Sequence, residues 1–180
     1  MKEKHLVGRN KYNYVRSFFI IYSSQAVINL GPEGRPKVLL VKRKEHPARG
    51  KWWIPGGGVF KAETPERAIL RIAERETGLK CRIAKKLPRT RETFKNDPDT
   101  RDGISDYISD NFLLVPVKKG EKIHLDRTSS EYRFIEKIDR NLHPFVKCHL
   151  KNSGLFNSGQ IMKKKRSPES AANQKYTYSL

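Results

Sequence analysis

The chain is poor in cysteine: Cys81 and Cys148 are the only two in 180 residues, and no C-x-x-C pair exists. That excludes the paired-thiol metal and redox motifs and leaves the two as small core residues, with one disulfide as the alternative. Long hydrophobic runs are also lacking. The first apolar stretch, Phe18-Phe19-Ile20-Ile21-Tyr22, is far too short for a secretory signal or a membrane span, and the N-terminal residues 1–5 are charged. The expectation is a soluble, cytoplasmic protein with no membrane span. Acidic residues are scarce too, with 19 Asp+Glu against 38 Lys+Arg and a net charge of +19. Such a field attracts polyanions, whether nucleotides, nucleic acid or an acidic membrane, and charge alone does not choose among them. No internal repeat and no nucleic-acid-binding motif is present.

What is present suits one domain. The length and a 36% share of hydrophobic residues allow a real core. Residues 18–30, rich in β-branched and aromatic side chains, read as a strand, 31–34 (Gly-Pro-Glu-Gly) as a turn, and 37–43 as a second strand buried on both faces. The two are expected to pair as a hairpin. Residues 44–50 read as a loop, and 52–54 as a short strand that Pro55 ends. The best helix follows: Thr64 suits its N-cap, Pro65 its first position and Gly78 its C′ position. Ile69, Ile72 and Ala73 form its buried stripe. Residues 81–86 read as a strand, and 88–105, charged and carrying Asn96-Asp97-Pro98-Asp99, as a long loop of the kind that often binds ligands. Strands over 107–117 and 131–135 and a helix over 144–152 complete the pattern. Residues 154–180 turn polar around Lys163-Lys164-Lys165-Arg166, and 162–180 are expected to be largely disordered. The division is a basic extension over 1–14, one domain over 15–153 and a basic tail over 154–180. Alternating strands and helices predict an α/β fold with a mixed sheet covered by helices.

Glu76 follows Ala73 by three and Ile72 by four, so it falls at the edge of the buried helix face. A carboxylate there costs free energy unless a cation pairs with it. The turn Gly56-Gly57-Gly58 precedes the helix and can bring bare carbonyls close. Mg²⁺ takes one or two protein oxygens and fills its octahedron with phosphates and water. The Gly56 carbonyl with the Glu76 carboxylate fits that description; an ion pair between Glu76 and a neighbouring arginine is the alternative. Glu63 and Arg71 read as an ion pair fixing the loop to the helix. Arg43 ends a buried strand, where a guanidinium either holds a diphosphate oxygen and stabilises a leaving group or remains a solvated charge.

The segment resembles the Nudix box. Gly57, Glu63, Arg71, Glu76, Gly78 and Leu79 match in register, with Ala73 at the first apolar position, while Ile72 and Arg75 stand where the box carries Glu. In ordinary members those acids supply metal ligands and often the base, so the resemblance does not imply multi-metal attack at phosphorus. The altered box is similar to that of the GDP-mannose mannosyl hydrolase branch. The likeness extends to Leu39-Leu40-Val41-Lys42-Arg43, Pro47-Ala48-Arg49-Gly50, Trp53-Ile54-Pro55, Tyr132-Arg133-Phe134 and Asn141-Leu142-His143.

The resemblance implies a Nudix-type α/β/α sandwich with a mixed β-sheet, often as a homodimer. It implies one Mg²⁺, with Mn²⁺ as a substitute, held by the Gly56 carbonyl and Glu76. Arg43 would aid the leaving diphosphate, Arg71 would be the box arginine at the substrate, and Gly57, Glu63 and Gly78 would be structural. The chemistry implied is substitution by water at the sugar carbon, releasing nucleoside diphosphate and sugar. Two departures stand out. Thr128 and Ser129 occupy the positions of a Gln-His pair that provides a ligand and the base, and neither is a base at neutral pH. Gly58 replaces an arginine. His124, Asp126 and Glu131 are the substitute bases within reach in sequence, with His124 put first; a solvated loop histidine is the alternative. Three functions follow: a nucleotide-sugar hydrolase, a Nudix-fold module that binds nucleotide or RNA without turnover, and an ordinary Nudix pyrophosphatase relying on Glu74 or loop acids.

Overall fold

The computed structural model describes residues 8–118 and 120–156. The expectation of disorder over 162–180, and the basic run within it, lie outside the described residues. The elements are α1 (Arg9–Arg16), β1 (Ile21–Ile28), β2 (Val38–Arg43), β3 (Trp52–Trp53), β4 (Gly56–Gly58), α2 (Pro65–Thr77), β5 (Cys81–Lys95), β6 (Ile104–Pro116), β7 (Ser129–Ile135) and α3 (Pro144–Asn152). They make a four-stranded mixed sheet, β4-β1-β6-β5, and a three-stranded sheet, β3-β2-β7. β1 and β6 run parallel; the other pairs are antiparallel.

The period-two alternation of the strands divides the apolar residues between two cores. Ala26, Ile28, Leu39, Phe112 and Leu114 pack with Ala68, Ile69, Ile72 and Ala73 of α2. Their sequence neighbours Val27, Val38 and Leu40 point the other way and pack with Val146 and Leu150 of α3. A helix therefore covers each face, which gives the three-layer α/β/α arrangement. α2 starts and stops where its sequence says. Thr64 accepts a hydrogen bond from the Arg67 N–H at 3.3 Å, Pro65 opens the helix, and Gly78 closes it in the left-handed region at φ 74°.

Several sequence expectations change. β1 and β2 do not pair as a hairpin; a single bridge, Asn29 to Val38, joins them. The reason is that β4 and β6 already occupy both edges of β1. The long loop expected over 88–105 is mostly sheet, because β5 runs on to Lys95 and β6 begins at Ile104. Register shifts between Ile83 and Lys85 and between Leu87 and Thr90 carry the strand past Pro88, where a regular ladder would need an N–H. The first strand starts at Ile21, and a helix, α1, precedes it. The glycine segment is a short edge strand rather than a turn. A Cβ on Gly56 would lie 2.9 Å from Gln25 Cγ, and one on Gly57 would lie 3.4 Å from Ile72 Cδ1. Both cysteines are free thiols, and Cys148 is exposed, not core. No helix among the described residues is long and apolar enough to cross a membrane.

Candidate functional site

A cavity of about 540 Å³ opens between the glycine strand, the C-terminal end of α2 and the start of β7. Gly56, Gly57 and Gly58, Arg75 and Glu76, Arg43, Asp126, Thr128 and Ser129 line it, as do Gln25, Glu92, Trp53, Phe94 and Tyr107. Tyr12 and Val15 of α1 add a wall. That helix is tied down by Arg16, whose Nη1 lies 3.3 Å from Asp97 and donates to the Tyr107 hydroxyl at 3.0 Å.

Glu76 sits where the helix periodicity put it, 5% exposed at the edge of the buried face. Arg75 Nη2 donates to its Oε1 at 2.7 Å, and the Gly56 N–H to its Oε2 at 3.3 Å. Burial pushes the carboxyl up to about 7 and nearby Asp126 adds to the rise, while Arg75 and Arg43 oppose it. Arg75 also places Nε 3.6 Å from Asp126 Oδ2, so one guanidinium spans two carboxylates. Asp126 Oδ1 accepts in turn from the Thr128 N–H at 2.8 Å.

Arg43 reaches the cavity from the end of β2. Its guanidinium lies 5.7 Å from the Trp53 ring, and among the described residues its buried Nε has no hydrogen-bond partner. Arg71 does not line the cavity. Its Nε and Nη2 each meet Glu63 at 2.7 Å, Nη2 also donates to the Gly58 carbonyl at 3.2 Å, and the guanidinium lies 4.0 Å from the Phe60 ring. Arg71 holds Glu63 below the usual carboxylate range. The pair pins the loop before α2 to the helix, the plainer of the two sequence readings.

His124 is exposed, outside the cavity and against the end of α2. Its N–H donates to the Thr77 carbonyl at 2.9 Å, and a Cβ on Gly78 would lie 3.1 Å from its own Cβ. Glu131 is exposed and paired with Lys42 at 2.8 Å. Of the three substitute bases, only Asp126 reaches the cavity. Sequence reasoning missed Glu92, a buried cavity carboxylate on β5, because its segment read as a loop. The alternation of outward Arg89 and Arg91 with inward Glu92 and Phe94 was the available signal.

The cavity can be tested against a divalent cation. Among the described residues no group of three or more His, Cys, Asp or Glu could hold a metal. Oxygen donors are nevertheless present in Glu76, Asp126 and the Gly56 carbonyl. Pro55 accepts from Ala26 and Val59 donates to Tyr22, so the N–H and C=O of Gly56 both face away from β1, on the side where Glu76 lies. A small all-oxygen set of this kind fits one hard cation completed by phosphate and water. Arg75 already occupies Glu76, so a cation held there would take that oxygen in exchange for the guanidinium. Arg75→Ala is therefore expected to tighten Mn²⁺ binding about tenfold, the worth of one charged hydrogen bond. Titration calorimetry or Mn²⁺ resonance on the metal-free protein reads this directly, and unchanged affinity would contradict it.

A family model described as the NUDIX domain matches residues 23–148. The low-salt glycan biosynthesis protein Agl8 of Haloferax volcanii is 34% identical over 116 residues, covering 63% of this chain and 71% of that protein. The ADP-ribose pyrophosphatase of Methanocaldococcus jannaschii is 49% identical over 98 residues, 53% of each chain. Among solved structures, a NUDIX hydrolase from Nitrosomonas europaea superposes with a TM-score of 0.59 at 18% identity, over 82% of this chain and 98% of that one. At that identity the likeness speaks for the fold alone.

Proposed function

The chain belongs to the Nudix family of hydrolases, and from that premise we propose that it hydrolyses a nucleotide sugar of the GDP-mannose kind with one Mg²⁺, releasing nucleoside diphosphate and sugar. One observation carries this reading. Of the acids from Glu63 to Glu76, only Glu76 faces the cavity, and the residue before it is Arg75. Glu63 is committed to Arg71, and Glu74 is exposed near Lys80 at 3.9 Å. Attack at phosphorus assisted by several metals needs more carboxylates than this segment offers. The likeness to a protein named for glycan biosynthesis supports a sugar-bearing substrate.

Each residue then has a task. Glu76 and the Gly56 carbonyl would hold the cation, which would neutralise charge on the diphosphate. Arg43, whose Nε has no partner among the described residues, donates to a diphosphate oxygen and stabilises it as it leaves. The Trp53 ring lies 5.7 Å from that guanidinium and attracts its charge. The Glu63–Arg71 pair keeps the glycine strand and α2 in register. A second reading, pyrophosphatase chemistry on a nucleoside diphosphate derivative such as ADP-ribose, is favoured by the relative that carries that name.

Incubating the full chain with Mg²⁺ and a panel of nucleotide sugars plus ADP-ribose separates the two. Nucleoside diphosphate and free sugar are expected. Nucleoside monophosphate with a sugar phosphate would overturn the first reading in favour of the second, and no product from any substrate would overturn both.

A further inference from the structure

We infer that Glu92, steadied by His149, is the proton acceptor for the attacking water. The inference rests on the hydrolase reading above. Glu92 lies on β5, is 2% exposed and lines the cavity. Both its oxygens are held: His149 Nε2 of α3 meets Oε1, and Gln25 Nε2 of β1 donates to Oε2 at 3.0 Å. Gln25 Nε2 also reaches Ser109 Oγ at 2.9 Å, which shares a 2.6 Å hydrogen bond with Ser23. Gln25, Ser109, Ser23 and His149 are all buried.

Stability alone does not explain this network. A buried carboxylate with a histidine behind it costs desolvation that apolar residues would avoid. Of the pair, Glu92 lines the cavity, which puts its carboxylate where a ligand would sit. Among the described residues no Lys or Arg forms an ion pair with Glu92. Asp126, the other acid considered, faces Arg75 and accepts from Thr128. Thr128 and Ser129 are not bases at neutral pH.

Contacts connect Glu92 to the candidate cation site. Gln25 stands opposite Gly56 in the β1–β4 ladder, so close that a Cβ on Gly56 would lie 2.9 Å from Gln25 Cγ. The Gly56 N–H meets Glu76. Glu76, Gly56, Gln25, Glu92 and His149 thus form one line of contacts, of which the first four line the cavity. In the step, one O–H bond of water breaks and its proton passes to a Glu92 oxygen. The freed electron pair forms the bond to the sugar carbon while the bond from that carbon to the diphosphate oxygen breaks, its pair leaving on the diphosphate. Glu92 returns the proton to solvent as products depart. With its proton on Nε2, His149 donates to the Glu92 carboxylate and keeps it aimed, so His149 is a positioning residue.

The test is a comparison of the full chain with Glu92→Gln and His149→Asn at saturating Mg²⁺ and nucleotide sugar. Glu92→Gln is expected to keep KM within about threefold and lose about 100-fold in kcat, the usual size of a general-base contribution. His149→Asn is expected to lose about tenfold in kcat, with KM again unchanged. If Glu92→Gln does not fold, Glu92→Ala with added formate replaces it: formate restoring part of kcat supports the assignment, and no restoration overturns it. A Glu92→Gln enzyme with kcat within about threefold of wild type, or one impaired only in KM, also overturns it. Wild type without turnover would sink the hydrolase reading and this inference together; an active wild type with an unimpaired Glu92→Gln sinks this inference alone.

Discussion

Glu76→Gln is expected to lower kcat by about 1,000-fold or more with Mg²⁺ present, because it removes the one charged oxygen of the box that faces the cavity. The fold should survive. The amide keeps the shape of the carboxylate and can still accept from the Gly56 N–H, now 3.3 Å from Oε2. Stability carries a second signature. Burial raises the Glu76 carboxyl from 4.5 to about 7, so the folded state disfavours its charge. For a group raised in this way, stability present at low pH is lost as pH rises through the folded value. The metal-free wild type is therefore expected to lose melting temperature relative to Glu76→Gln between pH 5 and pH 8. Melting curves at those two values, with turnover measured beside them, check both parts. An active variant would remove Glu76 from the proposed cation site.

Arg43→Ala is expected to reduce kcat by about 100- to 1,000-fold, the range seen when one donor to a developing negative charge is removed. Among the described residues the buried Nε of Arg43 has no hydrogen-bond partner, so the side chain is available to a ligand rather than committed to the fold. Arg71 provides the contrast. Its Nε and Nη2 are committed to Glu63 and Gly58 and its guanidinium lies over Phe60, so Arg71→Ala should appear first as lost stability of the loop before α2. Arg43→Lys should recover only part of the loss, because an ammonium cannot hold a phosphate oxygen pair bidentately. Steady-state kinetics with a nucleotide sugar resolves the two substitutions.

Much of α2 could be read from its residues. Thr64, Pro65 and Gly78 fix its ends by local chemistry, and Ile69, Ile72, Ala73 and Glu76 fix its face by spacing. The Glu63–Arg71 pair was visible for the same reason, since both partners lie on one local segment. What remained hidden depends on partners distant in sequence. α1 has no side-chain cap, and its anchor Arg16 finds Asp97 and Tyr107 some eighty or more residues away. The pairing of β1 is decided by β4 and β6 rather than by the turn at 31–34, whose residues alone pointed to a hairpin. β5 passes Pro88 on a bulge, and reading that proline as the start of a loop concealed Glu92. Arg75 was named as a missing acid, and the alternative of an arginine paired with Glu76 is the one it fills, while its second contact, with Asp126, was not visible in the sequence.

The central claim is that a single box carboxylate, Glu76, with one cation serves attack at the sugar carbon rather than at phosphorus. Hydrolysis of a nucleotide sugar in ¹⁸O-labelled water, with Mg²⁺ and mass analysis of both products, tests this most directly. The account predicts the label in the released sugar and an unlabelled nucleoside diphosphate; label in a phosphate would contradict it.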